Sequence, residues 1–330
     1  MGQPVSQPTN HPIILHSNRL VVQIALPGSV YRGTRFDWTG FITQVTLDGV
    51  HTFCTSESLQ ANRGTGGIGL CNEFGNEKPI GYIDAKPGEA FPKPGIGLLQ
   101  RPKASQYSFM YSYNIIQPFP VSHNATPDML SIQVDPIDCR GYAIRLKKTF
   151  TVKDNWLQIL YELENTGNKT IDTHEYCHNF ISIDGQIISP DYHLHLPYPI
   201  KMEKITASYR SMLPGIVQKI VPVVLIDKLI DSILKRGLRA VVIVGDDLSF
   251  RYSPETWFYL STSGFNQSQG PQWEIKLRSS GAGLREYDDF APAKVAIWGD
   301  KHVISAEVFI DLLLQPGEVK TWLRRYEFFI

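Results

Sequence analysis

Residues 157–183 read LQILYELENTGNKTIDTHEYCHNFISI, and this stretch decides the fold class. Apolar residues at 157, 159, 161 and 163 alternate with polar ones, apart from Leu160, which is the period-two pattern of a strand with one buried face. The Asn-Thr-Gly turn chemistry of residues 165–170 follows, and a second strand is predicted from Ile171 to Ile183. The stretch therefore predicts a hairpin of two antiparallel strands.

Strand patterns recur on both sides of this stretch. Leu20–Ala25 is a β-branched run, and Phe41–Leu47 alternates toward the tight-turn dipeptide Asp48-Gly49. Residues 142–147 also alternate, and two more strands are predicted between residues 303 and 326, around the turn at 315–318. The pattern continues to the C-terminal end of the sequence.

Two segments differ from this pattern. Residues 60–100 are dense in glycine and proline and predict an irregular surface path, the kind of segment that carries functional residues. Apolar positions between residues 221 and 236 follow helical spacing, with Gly237 as the predicted C-terminal stop. The chain of 330 residues has no evident linker or internal repeat. We predict an all-β protein, a large antiparallel sandwich with one or two short helices, in which a flexible arm (1–12) precedes a single domain (13–330).

Composition narrows the classes of partner. Lys plus Arg and Asp plus Glu are each 32, and a net charge of zero argues against nucleic acid and anionic membranes as partners. The longest apolar candidate, residues 216–234, is interrupted by charges and proline and predicts no membrane span. Without a signal-like start the chain is expected in the cytoplasm, although a trimmed secreted or periplasmic chain would look the same. Four widely spaced cysteines predict free buried thiols.

Four of the nine histidines cluster within 22 residues, at 174, 178, 193 and 195. Pairs of histidines on neighbouring strands could ligate zinc or iron in a cupin-like site. The one glutamate in this segment, Glu175, points to the opposite face from His174 and His178, which weakens the hypothesis. Hydrogen-bonded or solvent-facing histidines are also more common on strands than metal ligands.

Two residues are candidates for acid-base chemistry. Period two places His178 between Tyr176 and Phe180, so it is either a partly desolvated general acid or a core histidine satisfied by a backbone carbonyl. Glu307 interrupts the apolar face of a predicted strand, where burial would raise its pKa toward the range of a general base. The alternative is a solvated sheet edge, which Asp311 on the same face supports.

The segment YRGTRFDWTG, residues 31–40, combines charged and aromatic side chains in the manner of a site for a polyhydroxylated ligand. A structural ion pair between Arg35 and Asp37 is the equally weighted alternative. The glycine-rich loop at 64–69 lacks the lysine and the following Ser or Thr of a phosphate-binding loop. No cofactor is expected.

Five strings occur in order along most of the length of the chain: YRGTRFDWTGFI (31–42), CNEFG (71–75), FPKPGIGLL (91–99), LENTGNKTIDTHEYCHNFISID (163–184) and ISAEVFIDLLLQPGE (304–318). With these strings the sequence resembles the galactose mutarotase-like proteins, the family of the aldose 1-epimerases. The resemblance implies an antiparallel β-supersandwich whose concave face binds a small-molecule sugar. EYCHNF looks like the segment of the catalytic histidine, and ISAEVF like the strand of the catalytic glutamate.

By this resemblance Glu307 is the base that removes the anomeric hydroxyl proton and His178, or else His174, is the acid that protonates the ring oxygen. The assignment requires both groups in one cleft, roughly a sugar ring apart. The remaining residues that the resemblance implies bind the sugar: Arg35, Asp37, Glu73, Lys93 and, from the adjoining position, Asn179. A carbohydrate-binding protein without turnover and, at lower weight, the cupin-like metal enzyme are the alternative functions. The oligomeric state is not predicted.

Overall fold

The structure, a computed structural model, describes residues 11–61, 63–103, 106–202, 232–263 and 271–330. The first half of the chain contains β1 (Ile13–His16), β2 (Leu20–Ala25), β3 (Phe41–Leu47), β4 (His51–Thr52), β5 (Leu70–Phe74), β6 (Ala90–Lys93), β7 (Gly97–Gln100), β8 (Asn114–Pro118), β9 (Val121–Ala125), β10 (Met129–Val134), β11 (Ile144–Lys153) and β12 (Trp156–Asn165). The second half contains β13 (Ile171–Asn179), a 3-10 turn (Ile183–Gly185), β14 (Tyr192–His195), β15 (Lys201–Met202), β16 (Val241–Val244), β17 (Asp247–Phe250), β18 (Phe258–Ser263), β19 (Trp273–Leu277), β20 (Gly283–Asp288), β21 (Lys294–Asp300), β22 (Val303–Leu314) and β23 (Val319–Phe329).

Two ten-stranded sheets form the body of the fold. The first sheet runs β1-β2-β3-β5-β13-β22-β21-β18-β15, with β4 paired to β3. The second sheet runs β16-β17-β14-β19-β20-β23-β12-β11-β10-β9, and β6, β7 and β8 form a small third sheet. Strand pairings among the described residues are antiparallel, as the sequence predicts. The predicted antiparallel β-supersandwich is confirmed.

Several local predictions are correct to the residue. The strands β2 and β3 have the predicted bounds, and Asp48 and Gly49 between β3 and β4 both have positive φ, 52° and 70°, as a two-residue hairpin turn requires. All four cysteines are buried free thiols. The alternation within β11 and β12 is also present, because every second side chain of each strand is buried in the core.

The hairpin predicted around residues 165–170 is wrong. The strand β12 pairs with β11 and β23 in the second sheet, whereas β13 pairs with β5 and β22 in the first. The turn segment therefore carries the chain from the second sheet to the first. The chain returns to the second sheet between β22 and β23, and the side-chain amide of Asn165 links the two connections by donating to the carbonyls of Lys169 and Leu314. The physical reason is burial. The side chains of β13 are buried on both faces of the first sheet, whereas β12 has one buried and one half-exposed face, so the two strands belong to different sheets.

The irregular surface path predicted for residues 60–100 is also partly wrong. Within it, β5 lies in the centre of the first sheet with all five residues buried, and β6 and β7 are strands of the third sheet. The glycines serve the turns that surround these short strands. At Gly69, with φ of 56°, a Cβ atom would lie 2.0 Å from the carbonyl oxygen of Ile42, so only glycine fits there.

Two predicted segments lie mainly outside the described residues. These are residues 1–10 of the expected N-terminal arm and residues 221–231 of the expected helix. The described part of the helix spans residues 232–238, so Gly237 lies inside its last turn rather than beyond its end. In the described part of the chain, no helix has the length and apolar character needed to cross a bilayer.

The space between the two large sheets is mainly apolar, and it also holds buried ionic groups with hydrogen-bonded amides beside them. Arg324 of β23 donates to Glu175 of β13 and to Glu286 of β20, at 2.7 Å in both cases. Lys148 of β11 donates to Asp37 at 2.7 Å. These side chains are at most 1% exposed, and the pair of Arg324 and Glu175 joins the two sheets, which helps to fix how β13 lies over the second sheet.

Candidate active site

The two central strands of the first sheet, β13 and β22, point alternate side chains to opposite faces. We call the face turned away from the second sheet the outer face; it carries Tyr176, His178 and Glu307. The register pairs Tyr176 with Phe309, and because the strands are antiparallel, His178 two residues later lies beside Glu307. Two residues far apart in the sequence are thereby neighbours on one buried surface.

His178 and Glu307 are in direct contact. His178 Nε2 lies 3.2 Å from Glu307 Oε1, and each side chain is 5% exposed. Ser305 Oγ donates to the same Glu307 oxygen at 3.2 Å and accepts the backbone N–H of Asn179 at 3.0 Å. The two groups share one face, as required, but their separation is a contact and not the width of a sugar ring.

Burial sets the protonation of this pair. It raises the pKa of Glu307 to about 8, the direction that the sequence predicts. Burial, with the positive charge of Arg35 as a second cause, holds the pKa of His178 well below its usual range. At neutral pH the pair therefore carries one proton and no net charge. A solvated edge for Glu307 is ruled out, whereas Asp311, four residues on, is exposed and contacts Lys78.

Aromatic rings surround the imidazole of His178. The ring of Phe180 stacks on it at 3.8 Å between centroids, and Trp298 meets it edge-on at 5.4 Å. Phe36 and Tyr176 lie at 6.0 and 6.1 Å, so the predicted aromatic flanks are present. The buried Nδ1 of His178 has no hydrogen-bond partner among the described residues, so the expected alternative, a bond to a backbone carbonyl, is not found there.

A second polar cluster lies beside the pair on the outer face. Glu73 Oε2 accepts hydrogen bonds from Arg35 Nε at 2.8 Å and from the Tyr176 hydroxyl at 2.5 Å. Arg35 also donates to Tyr176 and to Thr65. The ion pair expected between Arg35 and Asp37 is wrong, since Arg35 pairs with Glu73.

The other carboxylate oxygen of Glu73 is open. Glu73 Oε1 is buried without a hydrogen-bond partner in the described part of the chain, and Lys93 Nζ lies 4.0 Å from it. Lys93 donates instead to the carbonyl of Phe74 at 2.5 Å and to the hydroxyl of Tyr107 at 3.0 Å. Burial lowers the pKa of Lys93 to about 8. Glu73 thus presents an unused acceptor next to a weakly basic amine.

The structure does not bring Asp37 and Asn179 to this face. Both oxygens of Asp37 are used between the sheets, by Lys148 and by the backbone and hydroxyl of Thr39. The Asn179 amide donates to Glu286 and to the carbonyl of Ala306. Strand alternation is the physical reason for Asn179, because it follows His178 directly and must point to the opposite face.

The four clustered histidines are divided between the sheets. His174 and His178 lie on β13 in the first sheet, and His193 and His195 lie on β14 in the second. The cupin-like site built from all four is therefore wrong. His174 is hydrogen-bonded to Asn76 and packs against Phe309, and burial lowers its pKa to about 4. His178, and not His174, is the histidine that contacts Glu307.

An aromatic segment that the sequence analysis did not single out covers part of the site. The ring centroid of Phe109 lies 4.7 Å from the Arg35 guanidinium carbon, and Tyr107 is bonded to Lys93. Both belong to YSFMYSY, residues 107–113, and this density of aromatic residues was the available signal. Together with His178 and Glu307, the site offers a proton donor and acceptor in contact, within an aromatic, water-poor surface.

Comparison by sequence finds no matching protein-family model and no matching curated protein. Comparison by structure finds many solved structures with the same architecture. A protein of Escherichia coli K12 provisionally assigned as an aldose 1-epimerase is 12% identical with a TM-score of 0.57, over 96% of this chain and 98% of that one.

Two further solved structures agree with the first. A galactose mutarotase related enzyme of Lactobacillus acidophilus is 11% identical with a TM-score of 0.56, and covers 97% of both chains. An aldose epimerase homologue of C. elegans is 11% identical with a TM-score of 0.53, over 97% of this chain and 99% of that one. At these identities the likeness concerns architecture, and on that ground the chain has the galactose mutarotase-like fold.

Proposed function

We propose that the protein is an aldose 1-epimerase-like isomerase that interconverts the α and β anomers of a hexose or modified hexose by acid-base ring opening. The observation that carries the proposal is the contact between His178 and Glu307 on the buried outer face. The shared fold with aldose 1-epimerase-related structures supports the same reaction class.

The direct contact is compatible with this reaction. The anomeric hydroxyl oxygen and the ring oxygen are both bonded to carbon 1, so an acid and a base that touch each other can reach both. One group removes the hydroxyl proton while the other protonates the ring oxygen; the bond from carbon 1 to the ring oxygen breaks and an aldehyde forms. After rotation, the reverse transfers close the ring on the other carbonyl face and restore both protons.

The pair begins with one proton, and the reaction conserves it. Glu307 as base with protonated His178, and Glu307 as acid with neutral His178, are two arrangements of the same proton. The pKa values of such a pair belong to the pair as a whole. Because burial favours neutral groups, protonated Glu307 with neutral His178 is the resting arrangement.

The remaining outer-face residues hold the sugar in this proposal. The partly exposed ring of Trp298 covers an apolar face of the sugar, and Glu73 Oε1 accepts a hydrogen bond from a sugar hydroxyl. Arg35 and Lys93 position Glu73 from either side. Asp37 and Asn179, which the resemblance assigns to sugar binding, act from between the sheets as supports of β5 and β13.

Anomer interconversion on a panel of freshly dissolved aldoses, followed by polarimetry or NMR, tests the proposal. We expect wild-type acceleration over buffer and a loss of about 10²- to 10⁴-fold in Glu307→Gln and His178→Asn. Asp311→Asn, an exposed carboxylate on the same strand, is the matched control and keeps the rate. Wild-type rates equal to buffer on the whole panel would contradict the proposal. Sugar-dependent thermal stabilisation without turnover would then identify a binding protein of the same fold.

A further inference from the structure

A second group of ionisable side chains lies on the far side of the molecule from the candidate active site. The strand β14 buries Tyr192 and Leu194 in the core and points His193 and His195 away from it. The neighbouring strand β17 begins at Asp247, which lies opposite His195 in the register. Two imidazoles and a carboxylate therefore share the solvent side of the second sheet.

The nitrogen atoms of the two imidazoles converge on one oxygen. His195 Nδ1 lies 3.0 Å and His193 Nε2 3.1 Å from Asp247 Oδ1. Asp246 precedes Asp247 in the turn after Gly245, and single ligand atoms of His195, Asp246 and Asp247 all lie within 4.8 Å of one another. His193 lies outside this group of three and contacts it through Asp247. The two histidines and Asp247 lie on adjacent strands, which fixes their backbone positions, and Asp246 lies in the turn that leads into β17.

Arg278 and Lys276 are near His193, but among the described residues neither forms an ion pair with the two carboxylates of this group. In the described ranges, no lysine or arginine forms an ion pair with Asp246 or Asp247. Lys276 lies across from His193, but its amine is 3.7 Å from Glu274, whose carboxylate also binds Arg285. In the described part of the chain, the two adjacent carboxylates thus have no direct ionic partner from lysine or arginine.

This donor set matches a particular ion. Two imidazole nitrogens and two carboxylate oxygens are ligands that Zn²⁺ accepts in tetrahedral sites. Bonds of about 2.1 Å in a tetrahedron place the ligand atoms about 3.4 Å apart, close to the 3.0 and 3.1 Å between Asp247 and the two imidazoles. A small outward movement of Asp247 would open the central position.

We propose that His193, His195, Asp246 and Asp247 bind one zinc ion on the outer surface of the second sheet. The ion would link β14 to the turn between β16 and β17, a connection otherwise made by backbone bonds of Leu196 and Ile200. The site is separate from His178 and Glu307, which lie on the first sheet.

Calorimetric titration of the metal-stripped full chain with Zn²⁺ tests the proposal, together with a thermal-shift series. We expect one zinc ion per chain and a rise in Tm with zinc. His195→Ala and Asp247→Asn should each weaken binding at least tenfold, and His193→Ala and Asp246→Asn should also weaken it. The matched control is His123→Ala, an exposed histidine of β9 in the same sheet, and it should bind zinc like the wild type.

The outcomes are decisive in both directions. Equal zinc affinity in the wild type, His195→Ala and Asp247→Asn would overturn the proposal, as would the absence of binding at micromolar zinc. Circular dichroism of each variant without metal establishes that it folds; if Asp247→Asn does not, the His195→Ala and Asp246→Asn pair decides. Absorption of the Co²⁺-substituted protein adds an independent readout, since a tetrahedral site with imidazole ligands gives intense visible bands that the His195→Ala variant must lose.

Discussion

The strand β13 and its neighbours hold buried charged groups on both faces of the first sheet, and the hydrogen bonding of these groups differs between the two faces. Between the sheets, both oxygens of Glu175 and both of Glu286 accept hydrogen bonds, with Arg324 as their common donor. On the outer face, His178 Nδ1 and Glu73 Oε1 lack partners among the described residues. Burial is equally complete on the two sides, so these four groups differ in hydrogen bonding, although Arg324 Nε and Asp288 Oδ1 of the inner group also lack partners among the described residues.

This difference separates structural from reactive groups. A buried carboxylate with both oxygens hydrogen-bonded, such as Glu175, joins the two sheets and presents no unpartnered oxygen to a ligand. A buried acid and base that have perturbed pKa values and atoms without hydrogen-bond partners can form those hydrogen bonds with a substrate. The two faces of the first sheet can therefore be tested against each other.

The largest expected effect comes from removing the central cation between the sheets. Arg324→Met leaves Glu175 and Glu286 buried without their donor and should lower the free energy of unfolding by about 3–5 kcal/mol. Urea denaturation measures it. The adjacent Arg325→Met, an exposed residue of the same strand, is the control and should change stability by less than about 1 kcal/mol. Equal losses in both variants would contradict the assigned role of Arg324.

The next effect is on the pH dependence of turnover. Activity needs one proton on the pair of His178 and Glu307, so the rate should fall about tenfold per pH unit above a pKa of about 8. Stopped-flow polarimetry across the alkaline range measures it. Lys93 has a pKa of about 8 as well, and Lys93→Met should keep the same alkaline limb. Loss of the limb in that variant would assign it to Lys93 instead.

A smaller effect is expected on stability. Because burial raises the pKa of Glu307 from 4.5 to about 8, the folded state keeps a proton that the unfolded chain loses, and the free energy of unfolding decreases as the pH rises through this window. Glu307→Gln removes that decrease. Its free energy of unfolding relative to wild type, measured by urea denaturation, should therefore increase between pH 5 and pH 8 by an amount on the order of 1 kcal/mol or more. A difference independent of pH would show that Glu307 is ionised when folded.

The smallest effect on stability is expected at the exposed ion pairs at one end of β13 and β22. Lys78 lies 3.4 Å from both Asp172 and Asp311, with all three side chains well exposed. Lys78→Ala should change the free energy of unfolding by less than about 1 kcal/mol, because exposed ion pairs are screened by water and salt. Thermal unfolding at low and high salt measures it. A larger loss of unfolding free energy would mean that exposed and buried ion pairs in this protein contribute similarly to stability.

The sequence alone was sufficient for features that depend on near neighbours. The period-two alternation identified β11 and β12, and the Asp48-Gly49 turn follows from positive φ at both residues. The aromatic neighbours of His178 were also predictable, because alternation along one strand determines which residues share a face. The resemblance carried by five sequence strings predicted the fold, and the similarity to solved structures confirms that prediction.

Partner choice depended on the tertiary structure. Arg35 lies two residues from Asp37, yet it pairs with Glu73 while Asp37 pairs with Lys148. The same reason explains the failed hairpin after Asn165, where a turn sequence carries the chain to the other sheet. Sequence spacing suggests ion-pair partners only among nearby residues. A buried charge pairs instead with an opposite charge that the folded sheets place within contact distance.

The sequence by itself determined the strands that show clear alternation, such as β11 and β12, and which of their side chains share a face, since both follow from the local geometry of an extended chain. Only the tertiary structure decided that His178 and Glu307 touch, that Asp37 and Asn179 turn inward, and that the four histidines divide between two sheets. Each of these depends on long-range strand pairing, which is set by the burial of whole faces and not by any single segment.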